Sequence, residues 1–161
     1  MKALALDLDG VLGDTRPLWR DWLDDAARRF HSIAPLDPAA LPEDRGAAAA
    51  ELDRWAEDGV GDWRGALARF AEDRAPVYLR PNAEVSSALR ALAGECRLGV
   101  FTDAPEALAR VALAHLGAER RIEALETGTD AVKRLLTILG ADAQVVYRRD
   151  ELIQLGPASR I

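Results

Sequence analysis

Four short apolar segments constrain the fold of this 161-residue chain more than any other feature. They are predicted as strands at residues 3–8, 97–101, 121–125 and 143–147. Helical patterns separate the last three, with Pro105 in the first turn of one helix and Thr129 as the N-cap of the next. Strands that alternate with single helices form parallel sheets covered by helices. The sequence therefore predicts an α/β fold with a parallel sheet of four strands, and we expect the strands in the order 4-1-2-3.

One interval interrupts this alternation. Between the first strand and a predicted helix at 82–93, the chain contains no convincing strand. Helical segments are predicted there at 17–31, 43–57 and 62–72. All four tryptophans fall in the same interval: Trp19, Trp22, Trp55 and Trp63. Such an aromatic core indicates an inserted all-helical cap at 14–79, on a Rossmann-like core formed by 1–13 and 80–161.

Charge and composition exclude several classes of function. The net charge is −6, and no basic stripe interleaved with aromatic residues is present, so nucleic acid is not expected as a partner. A strand-like run follows Lys2 at once, and no uncharged run approaches the length of a membrane span, so we expect a cytoplasmic protein without membrane contact. The single cysteine, Cys96, rules out an internal disulfide.

Two carboxylates, Asp7 and Asp9, stand at the predicted carboxyl end of the first strand. Open α/β sheets bind their ligands in the crevice at that end. One aspartate can attack a phosphoryl group while the other donates a proton to the leaving group. Two neighbouring carboxylates also repel each other unless a cation joins them, which indicates Mg²⁺. Gly10 lets the chain turn sharply and brings backbone N–H groups close to an anion.

The segment DLDGV at residues 7–11, followed by DT at 14–15, resembles the first motif of the haloacid dehalogenase superfamily phosphatases. The position of the cap resembles the helical-cap, phosphoglycolate phosphatase-like branch. The resemblance implies that Asp7 is the nucleophile and becomes an aspartyl phosphate. It implies that Asp9 protonates the leaving alcohol and then activates water. A proton donor argues against dehalogenation, because a halide leaves without a proton.

The second motif of that family also has a counterpart. Thr102 follows the second predicted strand, as the family's hydroxyl residue does, and would donate a hydrogen bond to a phosphoryl oxygen. Asp103 follows it, and the helix that opens at Pro105 turns its positive end toward the site. The resemblance therefore implies phosphate binding by Gly10, Thr102 and Asp103.

The family's third motif is a lysine that neutralises phosphate and nucleophile. Its usual place falls near residues 126–128, where this chain has no lysine. Lys133 is the available lysine and is assigned the role, although it equally fits a solvated position on a helix. An arginine could supply the charge instead, and the candidates are Arg134, Arg148 and Arg149.

The fourth motif is altered as well. The family has Gly-Asp after a strand, whereas this chain has RRDE at residues 148–151. Asp150 falls on the expected metal ligand, and Glu151 is a weaker candidate. Arg149 replaces the glycine and could pair with Asp150 or point into the pocket. The resemblance thus implies Mg²⁺ bound by Asp7, Asp9 and Asp150.

These features predict Mg²⁺-dependent hydrolysis of a small phosphorylated metabolite, with the cap selecting the substrate. Arg16 and Trp19 are candidates to contact that substrate, because the first cap helix leaves directly from the catalytic loop. A degenerate relative that binds a phosphate ligand or a protein partner without turnover remains open. So does a phosphomutase that uses the same aspartates. A receiver domain ranks last, because its phosphate-accepting aspartate would follow the third strand, where Leu125-Glu126 stands.

Overall fold

The computed structural model describes residues 2–156, which are organised around a parallel sheet of four strands. The strands are β1 (Lys2–Asp7), β2 (Cys96–Thr102), β3 (Ala124–Thr127) and β4 (Gln144–Val146). Their order is β3-β2-β1-β4, which confirms the predicted order. Every neighbouring pair is parallel. The central strand β1 is an almost continuous apolar run, because helices cover both of its faces.

Seven α-helices accompany the sheet in the described part of the chain. They are α1 (Arg16–Phe30), α2 (Arg45–Trp55), α3 (Trp63–Tyr78), α4 (Ala83–Ala93), α5 (Glu106–His115), α6 (Ala131–Leu139) and α7 (Arg149–Leu155). No helix within residues 2–156 is both long enough and apolar enough to cross a membrane.

The two faces of the sheet carry side chains of different size. Leu4 and Leu6 of β1 pack against α4, α5 and α7 in one apolar cluster. Ala3 and Ala5 face the other way and pack with α6. Gly99 of β2 lies under the same helix, where a Cβ atom would come within 2.7 Å of a Leu135 methyl carbon. Small residues on this face therefore let α6 approach the sheet closely.

Helices α1 to α3, which we call the helical insertion, have an apolar cluster of their own. All four tryptophans belong to it, and Trp63 and Leu67 are almost completely buried. Burial of each large side chain contributes about 1.5–3 kcal/mol. The indole N–H of Trp55 donates to the Ala34 carbonyl, at 2.6 Å. Ala104, which precedes α5, and Leu108 of α5 also belong to this cluster, so the insertion packs against α5.

The domain boundaries predicted at 14–79 and at 1–13 with 80–161 remain predictions. The terminal residues of the predicted core, Met1 and 157–161, lie outside the described residues.

Several predicted elements need correction. The third strand begins at Ala124 rather than at residue 121, because Glu119–Arg121 form a single 3₁₀ turn. Thr129 is not the N-cap of α6: Asp130 holds that position with φ +60°, and the Thr129 hydroxyl donates to Asp44 instead. Helix α7 was not predicted. Its seven residues are too few to show a helical period, and only Leu152 is fully buried.

Candidate functional site

The site forms where β1 and β2 end side by side. Asp7 is the last residue of β1 and pairs in register with Phe101, directly before Thr102 at the end of β2. The chain then turns through Gly10, whose φ of +119° favours glycine. A Cβ atom at this position would lie 2.9 Å from the Tyr147 carbonyl oxygen. The turn holds the backbone close to the sheet and directs Asp7 and Asp9 into one cavity.

Asp7 keeps one carboxylate oxygen free of protein donors. Its Oδ1 accepts a hydrogen bond from the Asp9 backbone N–H, at 3.1 Å. Among residues 2–156, no group donates to its Oδ2. Partial burial and then the negative charge of Asp9 raise the pKa of Asp7 to about 6. A partly desolvated carboxylate with one open oxygen is suited to nucleophilic attack.

Asp9 is held on both oxygens. Its Oδ1 accepts from the backbone N–H and the hydroxyl of Thr15, each at 2.7 Å. Its Oδ2 accepts from the Thr102 hydroxyl at 2.9 Å and from the guanidinium of Arg45. The side chain of Asp9 is only 8% exposed. The hydroxyl of Thr102, predicted to bind phosphate, therefore donates to Asp9 in this structure.

Arg45 also belongs to the site, although it was not predicted as a site residue. It is the first residue of α2 and is only 3% exposed. Its Nη1 donates to Thr15 Oγ1 at 2.7 Å, and its backbone N–H and Nε donate to the two oxygens of Asp103, at 3.0 and 2.9 Å. The buried guanidinium of Arg45 thus connects Asp9 with Asp103. Asp103 directly follows β2 and, like Thr102, was predicted to bind phosphate.

A sequence signal for Arg45 did exist. A basic residue in the first turn of a helix opposes the helix dipole, whose N-terminal end is positive. Asp44 precedes it and caps α2 by accepting from the Ala47 backbone N–H at 2.8 Å. A basic residue at a helix position that disfavours positive charge indicates a partner elsewhere in the fold. The sequence could not identify that partner, because Asp9 and Asp103 lie far away along the chain.

These side chains line a cavity of about 440 Å³ between the sheet end and the insertion. Its charged lining residues are Asp7, Asp9, Glu43 and Asp103 on the acidic side and Arg16, Arg20 and Arg45 on the basic side. Trp19 lines the cavity as well, so both residues singled out as possible substrate contacts are placed there. Arg16 pairs with Asp14 through Nε, at 2.8 Å. Burial alone would raise the pKa of Asp14, but the hydrogen bonds and charge of Arg16 lower it.

Comparison with known proteins identifies the family. A family model described as haloacid dehalogenase-like hydrolase matches residues 1–146. The chain belongs to this family. No curated protein sequence matches it significantly.

Solved structures of haloacid dehalogenase-like proteins share the fold. A crystal structure from Thermotoga maritima, described as a proposed beta-phosphoglucomutase, has 20% identity and a TM-score of 0.55, with 90% of this chain and 75% of that chain covered. CbbY from Rhodobacter sphaeroides, in complex with phosphate, has 16% identity and a TM-score of 0.55, covering 85% and 72%. A haloacid dehalogenase-like hydrolase family protein from Streptococcus pneumoniae has 14% identity and a TM-score of 0.54, covering 90% and 73%. At these identities, the likeness shows the fold alone.

The residues assigned to the third and fourth family motifs do not line this cavity. Lys133 is exposed on α6 and does not line it, so its catalytic role stays a prediction without a supporting contact. Arg149 neither pairs with Asp150 nor points into the cavity. It donates to the carbonyls of Val11 and Leu12, at 3.2 and 3.3 Å, and so supports the turn after β1.

The fit of these residues to Mg²⁺ is poor in this arrangement. Within residues 2–156, no group of three or more His, Cys, Asp or Glu side chains could hold a metal ion. The predicted ligands Asp7, Asp9 and Asp150 are therefore not gathered into such a group. Asp150 is exposed and pairs with Arg148 at 3.3 Å. Both oxygens of Asp9 already accept hydrogen bonds, so the metal set remains a prediction from the family resemblance.

Proposed function

We propose that this haloacid dehalogenase-like protein hydrolyses a small-molecule phosphate monoester through an aspartyl phosphate on Asp7. One observation carries the proposal: at the carboxyl end of β1, Asp7 presents a free carboxylate oxygen to a cavity that also contains Asp9. A nucleophile and a proton carrier two residues apart are the pair that this reaction needs. Arg16 and Arg20 on the cavity wall favour entry of an anionic substrate.

The chemistry has two steps. In the first, Asp7 Oδ2 forms a bond to phosphorus while the bond from phosphorus to the alcohol oxygen breaks, and Asp9 gives that oxygen a proton. In the second, Asp9 takes a proton from water, the water oxygen bonds to phosphorus, and the bond to Asp7 breaks to release phosphate. Asp9 now accepts hydrogen bonds on both oxygens, so in the first step it can give up a proton only after it has released at least one of these bonds and gained that proton on the freed oxygen. The backbone at Gly10 and the hydroxyl of Thr102 would then be available to phosphoryl oxygens.

Several finer features belong to the same proposal. The resemblance implies Mg²⁺ bound by Asp7, Asp9 and Asp150, where it would neutralise the transferring phosphoryl group. The helical insertion would act as a cap that excludes water and selects the substrate. Trp19 and Arg20, which line the cavity, support this role. A small phosphorylated metabolite as substrate and a cytoplasmic location remain predictions from the sequence.

The first experiment is p-nitrophenyl phosphate hydrolysis with and without Mg²⁺. Asp7→Asn should lower the rate by at least about 10³-fold, because the amide is a poor nucleophile. Asp142→Asn is the matched control: it makes the same change in an exposed residue before β4, at the opposite end of the sheet. An intact protein without turnover, or turnover that survives Asp7→Asn, would refute the proposal. The comparison of rates with and without Mg²⁺ tests the cofactor separately.

A second candidate is a protein that binds a phosphorylated ligand without turnover. The observation that favours it is the full engagement of Asp9 by Thr15, Thr102 and Arg45. Calorimetric binding of inorganic phosphate by a protein that hydrolyses nothing would support this candidate. A phosphomutase is the third, in line with the description of the Thermotoga maritima structure. It would return an isomeric sugar phosphate rather than free phosphate, which product analysis distinguishes.

A further inference from the structure

We infer that the phosphate monoester bound by this protein has an apolar alcohol part, an aryl or alkyl group, rather than a sugar. We place the phosphate group at Asp7, so the inference rests on the proposed function for that one step. The alcohol part would then occupy the cavity beyond the two aspartates, where apolar side chains line it on two sides.

One wall of the cavity is a single face of α1. Four residues of this helix line the cavity at spacings of three and four positions, which puts them on one side of the helix: Arg16, Trp19, Arg20 and Leu23. Arg16 stands close to the nucleophile: burial and the charge of Asp9 raise the pKa of Asp7, and the charge of Arg16 opposes that rise. Leu23 lies about 10 Å farther along the helix axis, since each residue adds about 1.5 Å. The cavity therefore extends along α1 away from Asp7.

The segment between α1 and α2 forms the second wall. Pro38, Leu41 and Pro42 line the same cavity, and the 3₁₀ turn Pro38–Ala40 packs against α1. Leu41 is partly buried against the apolar cluster of the insertion, to which the α1 wall also contributes. Leucine, tryptophan and proline side chains therefore bound the space between the two walls.

Few side chains in this part of the cavity could replace the water around a polar alcohol. Beyond Arg16 and the charged groups at the sheet end, only Arg20 and Glu43 contribute polar side chains among the described lining residues, and both are exposed. Sugar hydroxyls placed against leucine and proline would lose hydration without gaining a partner, which costs free energy. An aryl or alkyl group gains free energy from the same transfer. The lining therefore favours an apolar alcohol over a sugar.

Three phosphonates test this preference by calorimetry on the intact protein, because the carbon that replaces the ester oxygen prevents hydrolysis. Methylphosphonate supplies the head group alone, naphthylmethylphosphonate adds an apolar group, and dihydroxybutylphosphonate adds a polar chain. With Mg²⁺ present throughout, we expect the naphthyl compound to bind at least about tenfold more tightly than either of the others. A smaller difference from either compound, or no binding by any of the three, would overturn the inference.

A pair of leucine variants locates the apolar group. Leu36 and Leu41 lie in the same segment and are both partly buried against the same cluster, but of the two only Leu41 lines the cavity. Leu41→Asn should weaken naphthylmethylphosphonate by at least about fivefold and keep methylphosphonate within about twofold. Leu36→Asn should keep both affinities within about twofold. Equal effects of the two substitutions on the naphthyl compound would contradict this placement and overturn the inference.

The binding measurements do not depend on turnover. A naphthyl preference in a protein that hydrolyses nothing would remove the proposed hydrolysis and leave the apolar subsite standing. Hydrolysis of p-nitrophenyl phosphate without that preference would do the reverse. If Leu41→Asn does not fold, the comparison of the three compounds on the intact protein still decides.

Discussion

At the residue scale, Asp7 and Asp9 differ far more than their positions in the sequence suggest. Asp7 accepts one backbone hydrogen bond, whereas Asp9 accepts bonds from Thr15, Thr102 and Arg45. The first is open to substrate and the second is restrained. The different roles that we propose for Asp7 and Asp9 therefore rest on the surroundings of the two residues, which come from three separate segments of the chain.

Thr15 is the residue on which this restraint is most easily tested. It is fully buried, and its hydroxyl donates to Asp9 while accepting from Arg45. Thr15→Val keeps the shape but leaves both partners short of a hydrogen bond. We expect it to lower the free energy of unfolding by about 1–3 kcal/mol, measured by urea denaturation.

Two further variants control the Thr15 experiment. Thr15→Ser should recover most of the loss, because it restores the hydroxyl. Thr137→Val removes an exposed hydroxyl that donates to the Lys133 carbonyl and should change stability by less than about 0.5 kcal/mol. If Thr15→Val and Thr137→Val were equally stable, the buried network would not contribute as described.

At the element scale, the sequence predicts the sheet well and its edges less well. β1 and β2 are buried apolar runs, so their position and parallel pairing follow from pattern alone. β3 is an edge strand with no fully buried residue, and its weaker apolar pattern led to a start three residues too early. Helix α7 is too short to show a helical period in its sequence. The first-motif residues were predictable because they are close in sequence, whereas the partners of Arg45 were not, because Asp9 and Asp103 are distant from it along the chain.

The contact between α2 and the loop before α6 gives a prediction at the same scale. In Gly46→Ala, the added methyl group would overlap the backbone and side chain of Thr129, at 2.3 and 2.4 Å. Because backbone atoms cannot swing aside, the start of α2 has to shift. We expect a loss of about 1–3 kcal/mol in the free energy of unfolding.

Gly94→Ala provides the matched control for that substitution. Gly94 has φ −79°, and its nearest neighbour would lie 3.6 Å from the new Cβ atom. Alanine should be neutral there or stabilising by up to about 1 kcal/mol. Equal losses in the two variants would mean that the α2 contact is not close-packed in solution.

At the scale of the whole molecule, the insertion and the sheet pack against each other and are not joined by the chain alone. Ala104 and Leu108 belong to the apolar cluster of the insertion, and Tyr78 borders both this cluster and the one beneath the sheet. The ion pairs of Arg45 with Asp9 and Asp103 add polar links across the same boundary. The insertion and the sheet are therefore held together by apolar packing at α5 and by ion pairs at the start of α2.

The chain contains natural probes for testing whether these parts unfold together. All four tryptophans lie in the insertion, and the single cysteine, Cys96, is buried in β2. Tryptophan fluorescence therefore follows the insertion, while labelling of Cys96 by a thiol reagent follows the sheet. Because the two parts share apolar clusters, we expect both signals to change at the same urea concentration, as in a two-state transition. A tryptophan transition well below that of Cys96 would instead show that the insertion unfolds as an independent unit.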